Sequence, residues 1–170
     1  MNKSVTRRLL GFVAFSIFHI TGCKKAPYYE KTVEIPHAQW KETDTLRFTL
    51  AKPDTGMRYT LSLGFRIGNS YPYSNLYIIF ISRFPDKRFS QDTLQFLLSD
   101  ARGRPTGNCS GKVCDYNFDL RKNLKFPLHG DYIFEAVQAM RTPNGNLADV
   151  RALYLRVDPD APPASVSPRQ

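Results

Sequence analysis

Apolar and polar positions alternate with a period of two along most of this chain. In residues 57–67, Met57, Tyr59, Leu61, Leu63, Phe65 and Ile67 fall on one side, and Arg58, Thr60, Ser62, Gly64 and Arg66 on the other. That pattern predicts a half-buried strand with one wet face. Leu46, Phe48 and Leu50 repeat it briefly. Residues 76–81, Leu-Tyr-Ile-Ile-Phe-Ile, are continuously apolar and rich in β-branched and aromatic side chains, which predicts a strand covered on both faces. Further strands are expected over residues 93–98, 113–120, 132–139 and 150–157. No long stretch carries the 3.6-residue period of an amphipathic helix.

Turn chemistry separates these segments. Pro53-Asp54-Thr55-Gly56, Gly68-Asn69-Ser70, Gly103-Arg104-Pro105, His129-Gly130-Asp131 and Pro143-Asn144-Gly145 are strong punctuators. Seven or more short strands at this spacing predict an all-β fold, an antiparallel sandwich or jelly roll, spanning residues 40–157 as a single domain. Trp40, the lone tryptophan, is expected to close one end of its core.

The two ends of the chain read differently. Lys3, Arg7 and Arg8 precede a largely apolar run from Leu9 to Ile20, interrupted by His19, and then Ile20-Thr21-Gly22-Cys23. The run is too short to span a bilayer, which takes about 20 apolar residues. Its basic start and small residues before a cysteine have the shape of a bacterial lipoprotein signal. Residues 1–22 are then removed, and Cys23 carries lipid at the new N-terminus. An ordinary secretory signal, or an unprocessed apolar start, are the plainer alternatives. Residues 23–39 are expected to be the lipidated cysteine and a flexible tether, reaching roughly 20 Å as a coil. Residues 158–170 hold four prolines among small polar residues and are expected to be disordered.

Processing leaves 148 residues, and loss of Lys3, Arg7 and Arg8 lowers the net charge from +9 to +6. The remaining cations are scattered, with no arginine-rich run or RNA-binding aromatic motif, so nucleic acid is not an expected partner. The charge favours solubility and mild attraction to anionic lipid or glycan.

Cys109 and Cys114 are left in an oxidising compartment, either as a short-range disulfide or as two free thiols. No metal site is expected, because His37 and His129 lie far from the cysteines in sequence. There is no Gly-x-Ser-x-Gly elbow, His-Glu-x-x-His helix or phosphate loop. A Cys109 or Cys114 nucleophile with His129 as base is the remaining nucleophilic arrangement. A pair drawn from Asp92, Asp100, Asp115, Asp119, Asp131, Glu135 and Asp149 is the remaining glycosidase one. Most of those acids sit where acidic residues cap backbone N–H groups. The expectation is a non-enzyme without cofactor. Nine tyrosines and twelve phenylalanines, with Tyr71-Pro72-Tyr73 in a loop, raise sugar binding as an alternative. Aromatics also dominate cores of this size.

One set of residues resembles a known family. Trp40 and the strand ending at Arg66 are followed by Tyr71-Pro72-Tyr73-Ser74-Asn75-Leu76-Tyr77, then Leu98-Ser99-Asp100 leading to Gly103, Gly107 and Gly111. Last comes Phe126-Pro127-Leu128-His129-Gly130-Asp131-Tyr132-Ile133-Phe134, running into Gln138-Ala139-Met140-Arg141. Behind a lipoprotein signal, this is similar to the GldH family of gliding-motility lipoproteins of Bacteroidetes, over roughly residues 30–157. The resemblance implies a non-catalytic envelope component without cofactor, needed for surface gliding, whose machinery overlaps the type IX secretion system. Its expected partners are other gliding and secretion envelope proteins, with the membrane reached through the N-terminal lipid. Tyr71, Tyr73 and Arg141 are the candidate interaction surface. Lys24 and Lys25 follow the lipid cysteine without an acidic cluster, so the domain is expected to face the periplasm from the outer membrane. The competing reading is a glycan-binding lipoprotein of a nutrient-uptake system.

Overall fold

Burying one face of each alternating strand requires two sheets face to face, and the structure supplies them. It is a computed structural model describing residues 26–160. Its strands are β1 (Tyr29–Glu34), β2 (Gln39–Lys41), β3 (Leu46–Leu50), β4 (Tyr59–Gly68), β5 (Asn75–Arg83), β6 (Phe89–Leu97), β7 (Asn108–Ser110), β8 (Val113–Leu124), β9 (Tyr132–Gln138), β10 (Asn146–Ala148) and β11 (Val150–Pro159). One sheet has five strands in the order β1-β11-β4-β8-β7, and the other has four in the order β3-β9-β5-β6. All pairings are antiparallel. The all-β sandwich expected from the periodicity is the fold observed.

The core lies between the sheets. Tyr59, Leu61, Leu63, Phe65 and Ile67 of β4 are all buried, as are Leu153, Leu155 and Val157 of β11 and Phe48, Ile78, Phe80, Phe96 and Phe134 opposite. The Phe65 ring meets Phe96 edge-on at 4.8 Å across the interface, and Phe96 meets Phe118 at 4.9 Å. Trp40 is fully buried and donates its Nε1–H to the Asp44 carbonyl at 3.0 Å. It pairs with Leu147 in the small β2–β10 ribbon, which covers one end of the sandwich.

Three expectations change. The tether was expected to run to residue 39, yet Tyr29–Glu34 pairs along β11 from Val157 to Ala152. β1 is an edge strand with mostly exposed side chains. Backbone pairing along its whole length holds it, with only Tyr29 and Val33 packing partly on the core. At the other end β11 continues through Asp158 and Pro159, and Asp158 binds Arg156 through two hydrogen bonds of 2.7 and 2.8 Å. Residues 161–170, the rest of the expected disordered tail, lie outside the described residues, as do residues 1–22 and Cys23. The apolar run of β5 is buried only at alternate positions, because Tyr77, Ile79 and Ile81 look outward and stay half-covered. The outward side of β4 is the converse case. Ser62 there is buried, with its hydroxyl donating to Asp119 at 2.8 Å, and the Tyr154 ring lies over Gly64.

Candidate interaction faces

Strand direction sorts the loops into two poles. The links β4–β5, β7–β8 and β9–β10 cluster at one end, and β3–β4, β5–β6 and β8–β9 at the other, where β1 also enters. Tyr71 and Tyr73, between β4 and β5, and Arg141, after β9, therefore share the pole away from the N-terminal entry. The two tyrosine rings meet at 5.7 Å, edge to face. Tyr71 donates its O–H to the Asn75 carbonyl at 2.8 Å, and burial raises its pKa. Both rings pack on the core and are half-buried, whereas Arg141 is exposed. The pair thus shapes the β4–β5 corner and offers only its margins to a partner.

Cys109 and Cys114 lie directly opposite in the β7–β8 hairpin and form a disulfide, with their Cα atoms 3.9 Å apart. The bond uses both sulfurs, and His129 follows β8 at the opposite pole. No cysteine–histidine pair can form. The acids are also dispersed. Asp100 accepts N–H groups of Arg102 and Arg104, both at 2.9 Å, which lowers its pKa. Asp149 accepts the Ser70 N–H at 2.9 Å and pairs with Arg151. Asp115 binds Arg66 through two hydrogen bonds. The carboxylates of Asp92 and Asp131 bond to no other described residue.

The outer surfaces of the two sheets differ. Across the four-stranded sheet, Tyr77, Ile79 and Ile81 of β5 stand beside Ile133 and Val137 of β9, all half-exposed. Phe89 and Leu97, at the ends of β6, are each 62 % exposed. In the middle of this aliphatic strip sits Glu135, 2 % exposed. Arg47 from β3 reaches it through Nε at 2.9 Å and Nη2 at 2.5 Å, and Arg83 from β5 through Nε at 2.7 Å. Burial pushes the Glu135 carboxyl upward, but the hydrogen bonds from Arg83 and Arg47 outweigh it and hold the pKa below the usual value. Residues 88 and 52 positions away in sequence supply these bonds. Only the strand register brings them together, so sequence reading missed the cluster.

Across the five-stranded sheet runs a shallow groove of about 390 Å³ lined by Glu30, Thr32, Arg66, Asp115, Asn117, Tyr154 and Arg156. It is polar, and Tyr154 is its one ring. That ring lies against Gly64 and donates its O–H to the Tyr116 carbonyl at 2.7 Å.

A third feature lies inside the sandwich. β1 and β3 close one side, where the Lys31 ammonium reaches the Arg47 carbonyl. On the other side β6 and β8 do not pair. A cavity of about 190 Å³ opens between them, walled by Leu61, Phe80, Leu94, Leu120, Phe126 and Phe134. Arg121, Lys125 and Asp92 also line it.

Residues 27–157 match the model of the family described as GldH lipoprotein. The chain is 30 % identical over 139 residues to the gliding motility lipoprotein GldH homolog of Christiangramia forsetii, covering 82 % of this chain and 84 % of that protein. It is 24 % identical over 143 residues to the gliding motility lipoprotein GldH of Flavobacterium johnsoniae, covering 84 % and 87 % respectively. A family model matched along most of the folded region, joined to a relative this similar over most of its length, places the chain: it belongs to the GldH lipoprotein family.

Proposed function

We propose that this protein is a lipid-anchored envelope component that supports gliding motility, and the secretion machinery that overlaps it, through protein contacts and without catalysis. The observation that carries this reading is the aliphatic strip on the four-stranded sheet. Ile79, Ile81, Ile133 and Val137 form an apolar surface interrupted by the Arg47–Glu135–Arg83 cluster. Exposed apolar surface with arginines set within it suits protein partners. Sugar rings stack on flat aromatic faces. The polar groove presents Tyr154 alone, Tyr71 and Tyr73 are packed into their corner, and on the four-stranded face Tyr77 and Phe89 stand at opposite ends of the β5–β6 register, so among the described residues no aromatic platform supports the glycan-binding reading. Lipid on Cys23 supplies the anchor, and the domain faces the periplasm from the outer membrane.

Three measurements on the host test this. Deletion of the gene should abolish colony spreading and export of secreted cargo, with wild-type complementation restoring both and Ile79→Lys restoring neither. Normal spreading and secretion in the deletion strain of a gliding host would remove the motility role. Palmitate label should be absent from Cys23→Ala, and label that survives the change would end the lipid anchor at that residue. Protease added to intact cells should leave the protein whole, and its removal would place it outside the cell.

A further inference from the structure

The seam between β6 and β8 joins an unpaired strand edge to an apolar cavity. Its main-chain direction can be read from one bond. Ala139 donates its N–H to the Tyr77 carbonyl at 2.9 Å, so Tyr77 turns its backbone groups toward β9. Direction alternates along an antiparallel strand, so Ile78 and Phe80 turn theirs toward β6, and their register partners Leu94 and Asp92 turn theirs back. The N–H and C=O groups of Gln91, Thr93 and Gln95 therefore point away from the sheet. None of them bonds to another described residue.

Natural edges are usually blunted by shortness, charge, proline or a bulge. β7 is short, with three residues. β1 carries Glu30, Lys31 and Glu34. β6 has nine residues, one charge, no proline and an unbroken register with β5. Ser90, Asp92 and Leu94 turn inward from it and line the cavity. An apolar cavity of about 150 Å³ holds a benzene ring, so the 190 Å³ here holds one large side chain. At its mouth Arg121 and Lys125 have no ion-pair partner among the described residues, and Asp92 offsets only one of them.

We infer that β6 accepts an extended segment of a partner protein, which adds a strand to the four-stranded sheet, places one aromatic or large aliphatic side chain in the cavity and sets an acidic residue against Arg121 and Lys125. This rests on the reading that the protein works through protein contacts. Main-chain bonds supply affinity in such additions, and the pocket for an alternate side chain supplies selectivity. The chain's own residues 161–170 have no acidic or aromatic residue. A second copy would bring its own cations to the seam.

The test uses the full-length lipoprotein in detergent and a soluble peptide matching the nine residues of β6 in length. The peptide carries phenylalanine and glutamate at alternate positions and threonine between. Saturating peptide should slow amide exchange at Gln91, Thr93 and Gln95 about tenfold or more. Replacing its phenylalanine by alanine, or its glutamate by lysine, should weaken binding about tenfold. Thr93→Pro removes an outward N–H without touching the β5 ladder, and should abolish binding at an unchanged melting temperature. Arg121→Glu with Lys125→Glu, both on exposed side chains, should reverse the preference between glutamate and lysine peptides. That pair decides the matter if the proline variant folds poorly. Unchanged exchange at the three amides would overturn the inference. So would a dimer that forms without peptide and is lost in Thr93→Pro, because the edge would then belong to a second copy. A deletion strain that spreads and secretes normally would leave the amide protection standing, so the two proposals fail separately.

Discussion

Glu135→Gln is the sharpest probe of the sheet surface, because it keeps shape and removes charge. The carboxylate is 3 % exposed and accepts three hydrogen bonds, while Arg47 and Arg83 are 61 % and 47 % exposed. A glutamine offers one acceptor oxygen and turns an N–H₂ group toward the other guanidinium. Breaking a fully buried ion pair costs about 3–5 kcal/mol, and breaking an exposed one about 0–1. With the acid buried and both cations half in water, the loss should be about 2 kcal/mol at neutral pH. The pH dependence fixes the cause. The folded-state pKa of Glu135 is held below its unfolded value, so the unfolded chain binds the proton more readily. The stabilisation is complete above the ordinary glutamate value of about 4.3 and drains away as pH falls through the folded-state pKa. Urea denaturation of both proteins along a pH series should therefore show a gap near neutrality that closes in acid, where wild-type Glu135 becomes neutral too. A gap that stays constant with pH, or a neutral-pH gap below about 0.5 kcal/mol, would refute charge as the source.

Two further perturbations test the packing. A Cβ at Gly64 would lie 1.8 Å from Tyr154 Cζ and 2.3 Å from its hydroxyl, so Gly64→Ala should cost about 2–4 kcal/mol by displacing the ring and its bond to the Tyr116 carbonyl. Adding Gly64→Ala to Tyr154→Ala should cost almost nothing more in urea denaturation, and full additivity would show that the ring is not the obstacle. The Cys109–Cys114 bond closes a very short loop, so replacing both with serine should lower stability by about 2 kcal/mol on the chain-entropy account. Reductant should lower wild type by the same amount and leave the double variant unmoved.

How much of this was legible in sequence follows from what each strand buries. β4 and β11 bury one face of large residues, so a period of two located them to within two residues. β1, Tyr-Glu-Lys-Thr-Val-Glu, half-buries only Tyr29 and Val33, with the polar Lys31 between them on that face. Its partner β11 defines it, and partners are invisible to periodicity. β2, β7 and β10 have three residues each, too few for any period. β6 extends back to Phe89 because Ser90 and Asp92 face a cavity rather than packed side chains, which hides the alternation. The tyrosines of the β4–β5 corner were conspicuous as residue types. That they pack inward while isoleucines look out from β5 depends on which face of the run meets the other sheet. The Arg47–Glu135–Arg83 cluster exists only through register.

The early start of β1 bears on how a lipid-anchored form of this molecule would stand. If Cys23 carries the lipid, as proposed, only residues 24–27 separate the acyl chains from Tyr28, whose N–H already bonds the Val157 carbonyl, a leash of at most about 18 Å when taut. The entry pole, with Met57 and the β5–β6 turn, would then be held close to the headgroups. Strands of ten residues such as β4 set the Tyr71–Tyr73 corner about 33 Å from that pole. A partner at the far corner would then have to rise several nanometres above the membrane, whereas one on β6 would run from its low end upward along the wall of the domain.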